Sequence, residues 1–431
     1  MRKRSVAIFI ALTILALSPI ITWGKNEPPI KRKGNQLADR IVTALDSMAR
    51  LNVFAPNSNT AYPVSPAYHI PELAIEYKLT AMGSAMPIGM DYTPEVQQYI
   101  SLFTGERREA FSKMLGLAQL YFPIFEDYLD RYRLPLELKY LAIVESALNP
   151  LAVSTSGAVG LWQFKINTGQ MLNLNVTSYV DERMDPYKST DAACRYLEYL
   201  YRIFRDWHLA LAAYNGGPGA VRNAILRSGG ETSYWKLLPY LPEQTRNYVP
   251  AYIAATYVAK NYADFEMEPV QPLYSNATVD TIQVYGGLYL DGIKKYTGLD
   301  MESVRFLNPS FRTGYIPDNG AFYTIVLPHP AIKKFFTNFK DIYAYKPSYT
   351  LALRNAGETA GKKKITYTVR SGDYFHRLAL AFGCTVDDIN AWNPDSPGEL
   401  SVGQRLNIWT DSTTAQQYTA PAESMNRSKQ N

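Results

Sequence analysis

The stretch "KYLAIVESALNP", Lys139 to Pro150, places one carboxylate, Glu145, in a run that is otherwise suited to burial. On a helix, Glu145 shares a face with apolar residues such as Leu138 and Leu141, which precede it by seven and four positions. From Ser146 through Val180 the sequence contains no Asp, Glu, His or Arg. A carboxylate so isolated needs either a structural or a chemical explanation.

Burial of that face disfavours the charged form of a carboxyl group. A carboxyl group that is kept protonated can donate its proton to a leaving oxygen, as cleavage of a glycosidic bond requires. The alternative is a Glu145 whose carboxylate reaches solvent or accepts a backbone hydrogen bond and has no part in catalysis. The stretch itself leaves both interpretations open.

Helical periodicity without strand alternation extends on both sides of Glu145, from about Asp91 to Tyr262. Thr93 followed by Pro94 is typical of a helix start. The segment "STDAACRYLEYLYRIFRDW", residues 189–207, places its apolar residues on one helical face. The sequence therefore predicts a single all-α domain around the acid.

Beyond Pro269 the pattern changes to short strands and helices, and it repeats at an offset of 85 residues. The segment from Ile282 to Pro309 aligns without a gap with the segment from Tyr367 to Pro394. Each copy reads as strand, helix, helix and strand, so the predicted fold class is mainly α, with small α+β modules of βααβ type after the helical domain. The predicted domains are a signal peptide (1–24), a polar and extended N-terminal region (25–90), the all-α domain (91–265), a first module (272–345), a linker (346–364), a second module (365–410) and a disordered tail (411–431).

The first residues combine a basic start, Arg2 to Arg4, with an apolar run from about Val6 to Leu17 and a small residue, Gly24. This pattern predicts a secretory signal peptide, with an uncleaved membrane anchor as the alternative. With either outcome, we expect the rest of the protein to be exported.

Composition argues against several other classes of protein. The net charge of +5 is mild and the basic residues are scattered, so the chain is compatible with an anionic polymer such as a cell wall, and no nucleic acid partner is expected. Cys194 and Cys384 fall in different predicted domains, which argues against a disulfide framework. The four His are not at metal-ligand spacing, so we expect neither a metal site nor a cofactor.

The residues that begin at Glu145, "ESALNPLAVSTSGAVGLWQF", resemble the signature of the soluble lytic transglycosylase catalytic domain, a family with a lysozyme-like fold. Three later blocks match the family in order: "VDERMDPYKSTDAACRYL", "WHLALAAYNGGPGAV" and "LPEQTRNYVP". The resemblance covers about Tyr121 to Lys260 and implies that Glu145 is the only catalytic acid and base. The substrate-binding residues that it implies are Ser154, Gln163, Tyr214, Asn215 and Tyr248, with Lys165 and Gln244 as further candidates.

Two of these positions depart from the family pattern. Lys165 stands where the family usually has Met, and Gln244 stands where it usually has Glu. If Lys165 faces Glu145, its charge favours the ionised acid; otherwise it points to solvent or contacts a carboxylate on the peptide stem of the substrate.

The resemblance also implies why Glu145 needs no acidic partner. Ordinary glycosidases use two carboxylates. In the family resembled here, the C6 hydroxyl of N-acetylmuramic acid attacks C1 of the same sugar and closes a 1,6-anhydro ring, which breaks the β-1,4 bond to N-acetylglucosamine. Such an intramolecular attack gains up to about 7–11 kcal/mol from proximity. Glu145 would first donate a proton and then, as a carboxylate, accept the proton of the C6 hydroxyl.

The second repeat, from Tyr367 to Trp409, resembles a LysM module, a family that binds polymers containing N-acetylglucosamine. The first repeat has Leu288 where the second has Asp373, so a degenerate module is expected there, and whether it binds glycan stays open. The resemblance implies a glycan-binding groove formed by Gly372, Asp373, Tyr374, Phe375, Asn393, Pro394 and Asp395.

Together the resemblances predict a bacterial lytic murein transglycosylase, similar to the membrane-bound D type, that binds peptidoglycan strands in the periplasm or cell envelope. Membrane association through the N-terminal apolar segment is part of this expectation. Three alternatives stay open: a hydrolytic muramidase, a peptidoglycan-binding protein whose catalysis is weakened by Lys165 and Gln244, and an enzyme whose substrate is chitin.

Overall fold

The computed structural model describes residues 35–55, 70–177, 179–347, 362–370, 373–384, 386–393 and 400–419. The predicted signal peptide and most of the predicted linker lie outside these residues. The described part of the chain is mainly helical up to Phe265 and forms small mixed modules after it, as the sequence predicts.

The helices of the first part pack around one hydrophobic core. They are α1 (Gln36–Ala49), α2 (Glu72–Ala85), α3 (Pro94–Ser101), α4 (Arg108–Arg131), α5 (Leu141–Ser146), α6 (Ile166–Met171), α7 (Pro186–Phe204), α8 (Trp207–Gly216), α9 (Pro218–Arg227), α10 (Tyr234–Leu237), α11 (Glu243–Arg246) and α12 (Tyr248–Lys260).

Helix α12 is the centre of this core. All of its residues from Tyr248 to Val258 are buried, and it packs against α3, α5 and α8. A helix that is apolar around its whole circumference must be enclosed by other elements. The surrounding helices therefore hold Tyr248, its first residue, in a fixed position.

Helices α1 and α2 correct the prediction of a polar, extended region over 25–90. Asn35 caps α1 by accepting a hydrogen bond from the backbone of Ala38, and Leu37, Ile41 and Leu45 are buried at helical spacing. This spacing is confined to one short segment, so the prediction from sequence does not include the helix. The described residues of this region therefore belong to the core of the helical domain.

Both repeats form the predicted strand, helix, helix, strand unit. In the first module, β1 (Val279–Tyr285) pairs antiparallel with β4 (Phe322–Pro328). In the second, β5 (Lys363–Thr368) pairs antiparallel with β6 (Arg405–Thr410). The remaining elements are β2 (Leu288–Tyr289), α13 (Leu290–Thr297), α14 (Met301–Leu307), β3 (Tyr315–Ile316), α15 (His329–Thr337) and α16 (Phe339–Ala344) in the first module, and α17 (Phe375–Ala381) and α18 (Val386–Trp392) in the second.

A short helix, α19 (Ser412–Thr419), follows β6 within the segment predicted as a disordered tail. Asp411 accepts a hydrogen bond from the backbone of Thr414 at its start. Near its end, the ring of Tyr418 lies 4.6 Å from that of Phe382. Ala415 is buried in the core of the second module, so this part of the tail packs against the module.

Across the described residues, none of the helices combines the length and the apolar character that crossing a bilayer requires.

Candidate active site

Glu145 lies in the last turn of α5, a helix whose residues are all buried. The turn that follows contains two left-handed residues without glycine, Ala147 at φ 52° and Leu148 at φ 58°. This conformation is uncommon for residues that have a Cβ and persists only where the surroundings enforce it. The buried apolar residues of this turn thus fix the end of α5 and with it the direction of the Glu145 side chain.

Two side chains donate hydrogen bonds to the Glu145 carboxylate, one to each oxygen. Arg40 of α1 donates from Nη2 to Oε2 over 2.9 Å, and Tyr248 of α12 donates from its hydroxyl to Oε1. The Glu145 side chain is only 4% exposed, whereas Arg40 is 29% exposed. The face that Glu145 shares with Leu138 and Leu141 is apolar and buried, but residues distant in sequence bring a cation and a phenol to the carboxylate.

Burial fixes the protonation state of the two tyrosines near Glu145. The pKa of Tyr248 is raised well above its usual value, first by burial and then by the negative charge of Glu145. The same causes, in the same order, raise the pKa of Tyr214. The raised pKa therefore favours Tyr248 as a neutral hydrogen-bond donor to Glu145.

A cavity of about 450 Å³ opens beside Glu145. On one side it is lined by Gln36, Asp39, Arg40, Thr43, Ala44 and Ser47 of α1, which we call the α1 wall. On the other side it is lined by Ala152, Val153, Ser154, Thr155, Ser156 and Gln163, which we call the motif wall. Gln244 also lines the cavity.

Two predicted substrate-binding residues lie on the motif wall. The Ser154 hydroxyl accepts a hydrogen bond from the backbone of Ala158 and lies 3.1 Å from the Ser156 hydroxyl. Gln163 has a left-handed backbone at φ 50° and donates to the carbonyl oxygen of Gly160 over 2.9 Å. Both side chains thus shape the loop and face the cavity, and the Ser154 hydroxyl has its hydrogen bonds within the loop.

The motif wall is supported from behind by Arg183. Its guanidinium forms a buried ion pair with Asp181 and donates to the carbonyl oxygens of Gly157 and Phe164 over 3.3 and 3.1 Å. Gly160, at φ +78°, passes so close that a Cβ would lie 2.2 Å from the carbonyl oxygen of Arg183. The glycine is therefore required by close approach of the backbone as well as by its conformation.

The other predicted site residues differ in how close they lie to the cavity. The Tyr214 hydroxyl donates to the carbonyl oxygen of Trp162, and Asn215 accepts from the Thr245 hydroxyl over 3.2 Å. These contacts hold elements together behind the site. Lys165 is exposed and does not line the cavity, whereas Gln244 does. The exposed position of Lys165 argues against contact with Glu145, and contact with a carboxylate on the peptide stem of the substrate stays a prediction.

The predicted glycan-binding residues of the second module require a correction. Phe375 is 1% exposed and belongs to the module core. Asn393 is buried, donates to the carbonyl oxygens of Ile389 and Asn407, and accepts from the backbone of Asn407. Neither side chain is free to contact a sugar, because the first fills the core and the second joins α18 to β6.

Asn308 makes the same three bonds in the first module, with Val304 and with both backbone groups of Val326. The Asn shared by the two repeats is therefore a structural residue of the βααβ unit.

Asp373 and Tyr374 are half-buried. Asp373 accepts hydrogen bonds from the Tyr367 hydroxyl and from the backbone of Arg370, over 2.6 and 2.7 Å. Gly372, Pro394 and Asp395 lie outside the described residues.

Sequence reasoning missed Arg40 and Asp39, the two charged residues of the α1 wall. Arg40 precedes Glu145 by 105 residues and lies outside the segment that carries the resemblance. The only available signal was the apolar spacing of Leu37, Ile41 and Leu45, which indicates a buried helix.

Comparison with known families assigns three parts of the chain. Residues 123–236 match the Transglycosylase SLT domain, residues 278–344 match the LysM-like domain of lytic transglycosylase MltD, and residues 367–409 match the LysM domain. The chain thus carries an SLT domain followed by two LysM-type domains, as the sequence resemblances predict.

Among individual proteins, membrane-bound lytic murein transglycosylase D of Escherichia coli strain K12 is 29% identical over 284 residues. That alignment covers 65% of this chain and 61% of the relative, so the chain spans less than two thirds of the relative's length. Soluble lytic murein transglycosylase of the same strain is 31% identical over 145 residues, which cover 31% of this chain and 22% of that protein.

Among solved structures, the 70 kDa soluble lytic transglycosylase from Escherichia coli aligns with a TM-score of 0.32 at 23% identity, and covers 46% of this chain and 31% of that one.

Proposed function

We propose that this chain, with its SLT domain and two LysM-type domains, is a lytic transglycosylase of peptidoglycan. It cleaves the β-1,4 bond between N-acetylmuramic acid and N-acetylglucosamine and leaves 1,6-anhydro-N-acetylmuramic acid ends. The observation that carries this proposal is the position of Glu145, which is buried at the edge of an open cavity with a phenol and a guanidinium on its two oxygens. Relatives named lytic murein transglycosylases support it.

The reaction uses Glu145 twice. The protonated carboxyl group donates its proton to the oxygen between the two sugars as the bond from C1 to that oxygen breaks. The C6 oxygen of the muramic acid then attacks C1, and its proton passes to the Glu145 carboxylate. The carboxyl group is restored, no water is consumed, and one molecule of sugar polymer becomes two.

The surroundings of Glu145 suit both proton transfers. Donors at both carboxylate oxygens stabilise the charged state that exists between the two steps. Ser154, Gln163 and Gln244 bring hydroxyl and amide groups to the same cavity, where they can hydrogen-bond the acetamido and hydroxyl groups of the sugars. We therefore assign them to substrate binding, and we assign Tyr214 and Asn215 to support of the cleft.

The LysM-type domains fit a role in binding the same polymer, and the N-terminal pattern fits export. We infer that the protein works in the periplasm or cell envelope of a bacterium. Membrane association through the apolar N-terminal segment is consistent with a relative named as membrane-bound.

A hydrolytic muramidase is the second candidate, and one observation favours it. Asp39 is a second carboxylate in the lining of the cavity, and ordinary hydrolysis uses two. Asp39 directly precedes Arg40 in α1, so the two side chains leave the helix in directions about 100° apart. Asp39 is exposed, whereas Arg40 contacts Glu145. This direction makes Asp39 a poor partner for chemistry at the bond that Glu145 protonates.

The two candidates differ in their products. Purified sacculi are digested with the protein, and the soluble fragments are separated and weighed. A transglycosylase releases muramic acid ends that are one water lighter than reducing ends, and Asp39→Asn leaves this activity largely intact. Reducing ends, together with loss of activity in Asp39→Asn, would establish the hydrolytic enzyme instead. A parallel digest of chitin tests the remaining choice of polymer.

A further inference from the structure

Helix α1 is a fixed part of the site and not a detachable segment. Its apolar face is buried in the core shared with α4 and α5. Both ends of the helix are tied by side chains: the Asn35 amide donates to the Tyr99 hydroxyl over 3.2 Å, and the Asn149 amide donates to the Ser47 hydroxyl over 3.3 Å. Any side chain that α1 presents to Glu145 is therefore held there in the folded protein.

Arg40 is the side chain that α1 presents. Its Nη2 lies 2.9 Å from Glu145 Oε2, and its Nε is a buried donor without a hydrogen-bond partner. Partial burial of a guanidinium with an unsatisfied N–H costs free energy, which the contact with the buried carboxylate has to offset. The contact with Glu145 is thus the feature that accounts for Arg40 at this position.

The other charged or titratable groups around Glu145 do not replace Arg40. Tyr248 of α12 donates to the second oxygen and stays neutral. Tyr214 of α8 is also neutral, and its hydroxyl donates to a backbone carbonyl. Asp39 of α1 carries the opposite charge and is exposed. Among the described residues that approach Glu145, Arg40 is the one that provides a positive charge in contact with it.

We propose that Arg40 is a positioning residue for the proton transfers of Glu145, an inference that rests on the proposed function. It stabilises the carboxylate from the moment the proton is given to the leaving oxygen until the proton of the C6 hydroxyl is taken. Because that carboxylate exists only after the first proton transfer has begun, Arg40 lowers the barrier of the chemical step more than it strengthens binding of the sugar.

Without Arg40, each proton donation is slower because the resulting carboxylate is less stable. The loss of rate therefore appears in kcat and not in KM. A cation at position 40 restores part of the rate, because the charge and not the guanidinium shape carries most of the stabilisation.

The test compares Arg40→Gln, Arg40→Lys and Arg50→Gln in the full-length protein. Arg50 is exposed at the C-terminal end of the same helix, so Arg50→Gln is the matched control for loss of one charge. Rates of release of anhydro ends from purified glycan strands are measured across strand concentrations, and thermal unfolding checks that each variant folds.

For Arg40→Gln we expect kcat to fall about 10- to 100-fold, the loss typical of one charge-assisted hydrogen bond. KM should stay nearly constant. Arg40→Lys should recover part of the rate because it keeps the charge, and Arg50→Gln should behave like the unaltered protein.

Three results would overturn the role of Arg40: a higher KM with unchanged kcat, which indicates contact with the substrate; equal losses in Arg40→Gln and Arg40→Lys together with a lower unfolding temperature in both, which indicates a structural role; or no loss. Failure of the unaltered protein to form anhydro ends would instead overturn the proposed function, so the two failures are distinguishable.

Discussion

The two walls of the cleft differ in how their residues are distributed along the chain. The motif wall and Glu145 come from one short stretch, residues 145–163, with a spacing that a family motif makes visible. The α1 wall comes from a helix whose Arg40 precedes Glu145 by 105 residues and that has no motif of its own. Glu145 is therefore recognisable from local sequence, whereas the charge around it is set by tertiary packing.

The largest effect on the rate is expected for substitution of Glu145, which lies between the α1 wall and the motif wall. Glu145→Gln keeps the shape of the side chain and an oxygen for the Tyr248 hydroxyl, but it can neither donate nor accept the proton. We expect the rate of release of anhydro ends to fall about 10³- to 10⁴-fold, with little change in strand binding. A product assay with a co-sedimentation assay on sacculi measures both. Cleavage at the original rate would place catalysis outside this cleft.

The packing of α1 can be weakened by a substitution at a residue that does not line the cavity. Leu45 lies on the buried face of α1 and is 1% exposed. Leu45→Ala should lower the free energy of unfolding by about 2–5 kcal/mol, because it leaves a cavity between α1 and its neighbours. Chemical denaturation measures the loss, and Arg50→Ala on the same helix is the control, with an expected change within about 0.5 kcal/mol. An unchanged stability for Leu45→Ala would mean that α1 is only loosely attached.

Removal of the Tyr248 hydroxyl tests whether Arg40 of the α1 wall stabilises the Glu145 carboxylate alone. Tyr248→Phe removes the phenol that donates to Glu145 Oε1 and keeps the ring in the core. We expect kcat to fall about 10- to 100-fold, since one charge-assisted hydrogen bond is lost from the carboxylate.

Tyr252→Phe is the matched control on the same helix. The Tyr252 hydroxyl is also buried in the core, but it donates to the carbonyl oxygen of Glu137 and not to the acid. Equal losses of activity in Tyr248→Phe and Tyr252→Phe would assign the effect to the stability of α12.

The smallest effect is expected at the departure from the family motif. Lys165 is exposed next to the motif wall and does not line the cavity. Lys165→Met restores the usual family residue and should change kcat by less than about twofold, because a charge in water interacts weakly with a buried acid. A large gain in activity at neutral pH would show that Lys165 acts on Glu145 and that the motif wall carries charge after all.

Much of the fold could be predicted because its signals are local. Helical spacing marks the core helices, and the repeat at an offset of 85 residues marks two βααβ modules. Helix α1 was missed although Leu37, Ile41 and Leu45 have helical spacing, because 14 residues with such spacing do not show which distant segments they pack against.

The site shows the same division. Glu145, Ser154 and Gln163 were found from the motif, and the structure brings them to one cavity. Phe375 and Asn393 were assigned to glycan binding because they match a family pattern, yet one fills the core and the other bonds backbone groups. A family pattern records structural and functional residues alike, and only burial and hydrogen bonding separate them.

The most direct test of the central claim is digestion of purified sacculi in water enriched in heavy oxygen. If the muramic acid C6 hydroxyl is the nucleophile and Glu145 moves both protons, the new muramic acid ends carry no heavy oxygen and are one water lighter than reducing ends. Heavy oxygen at C1 of the released muramic acid would contradict the claim, because it would mean that water attacked the sugar.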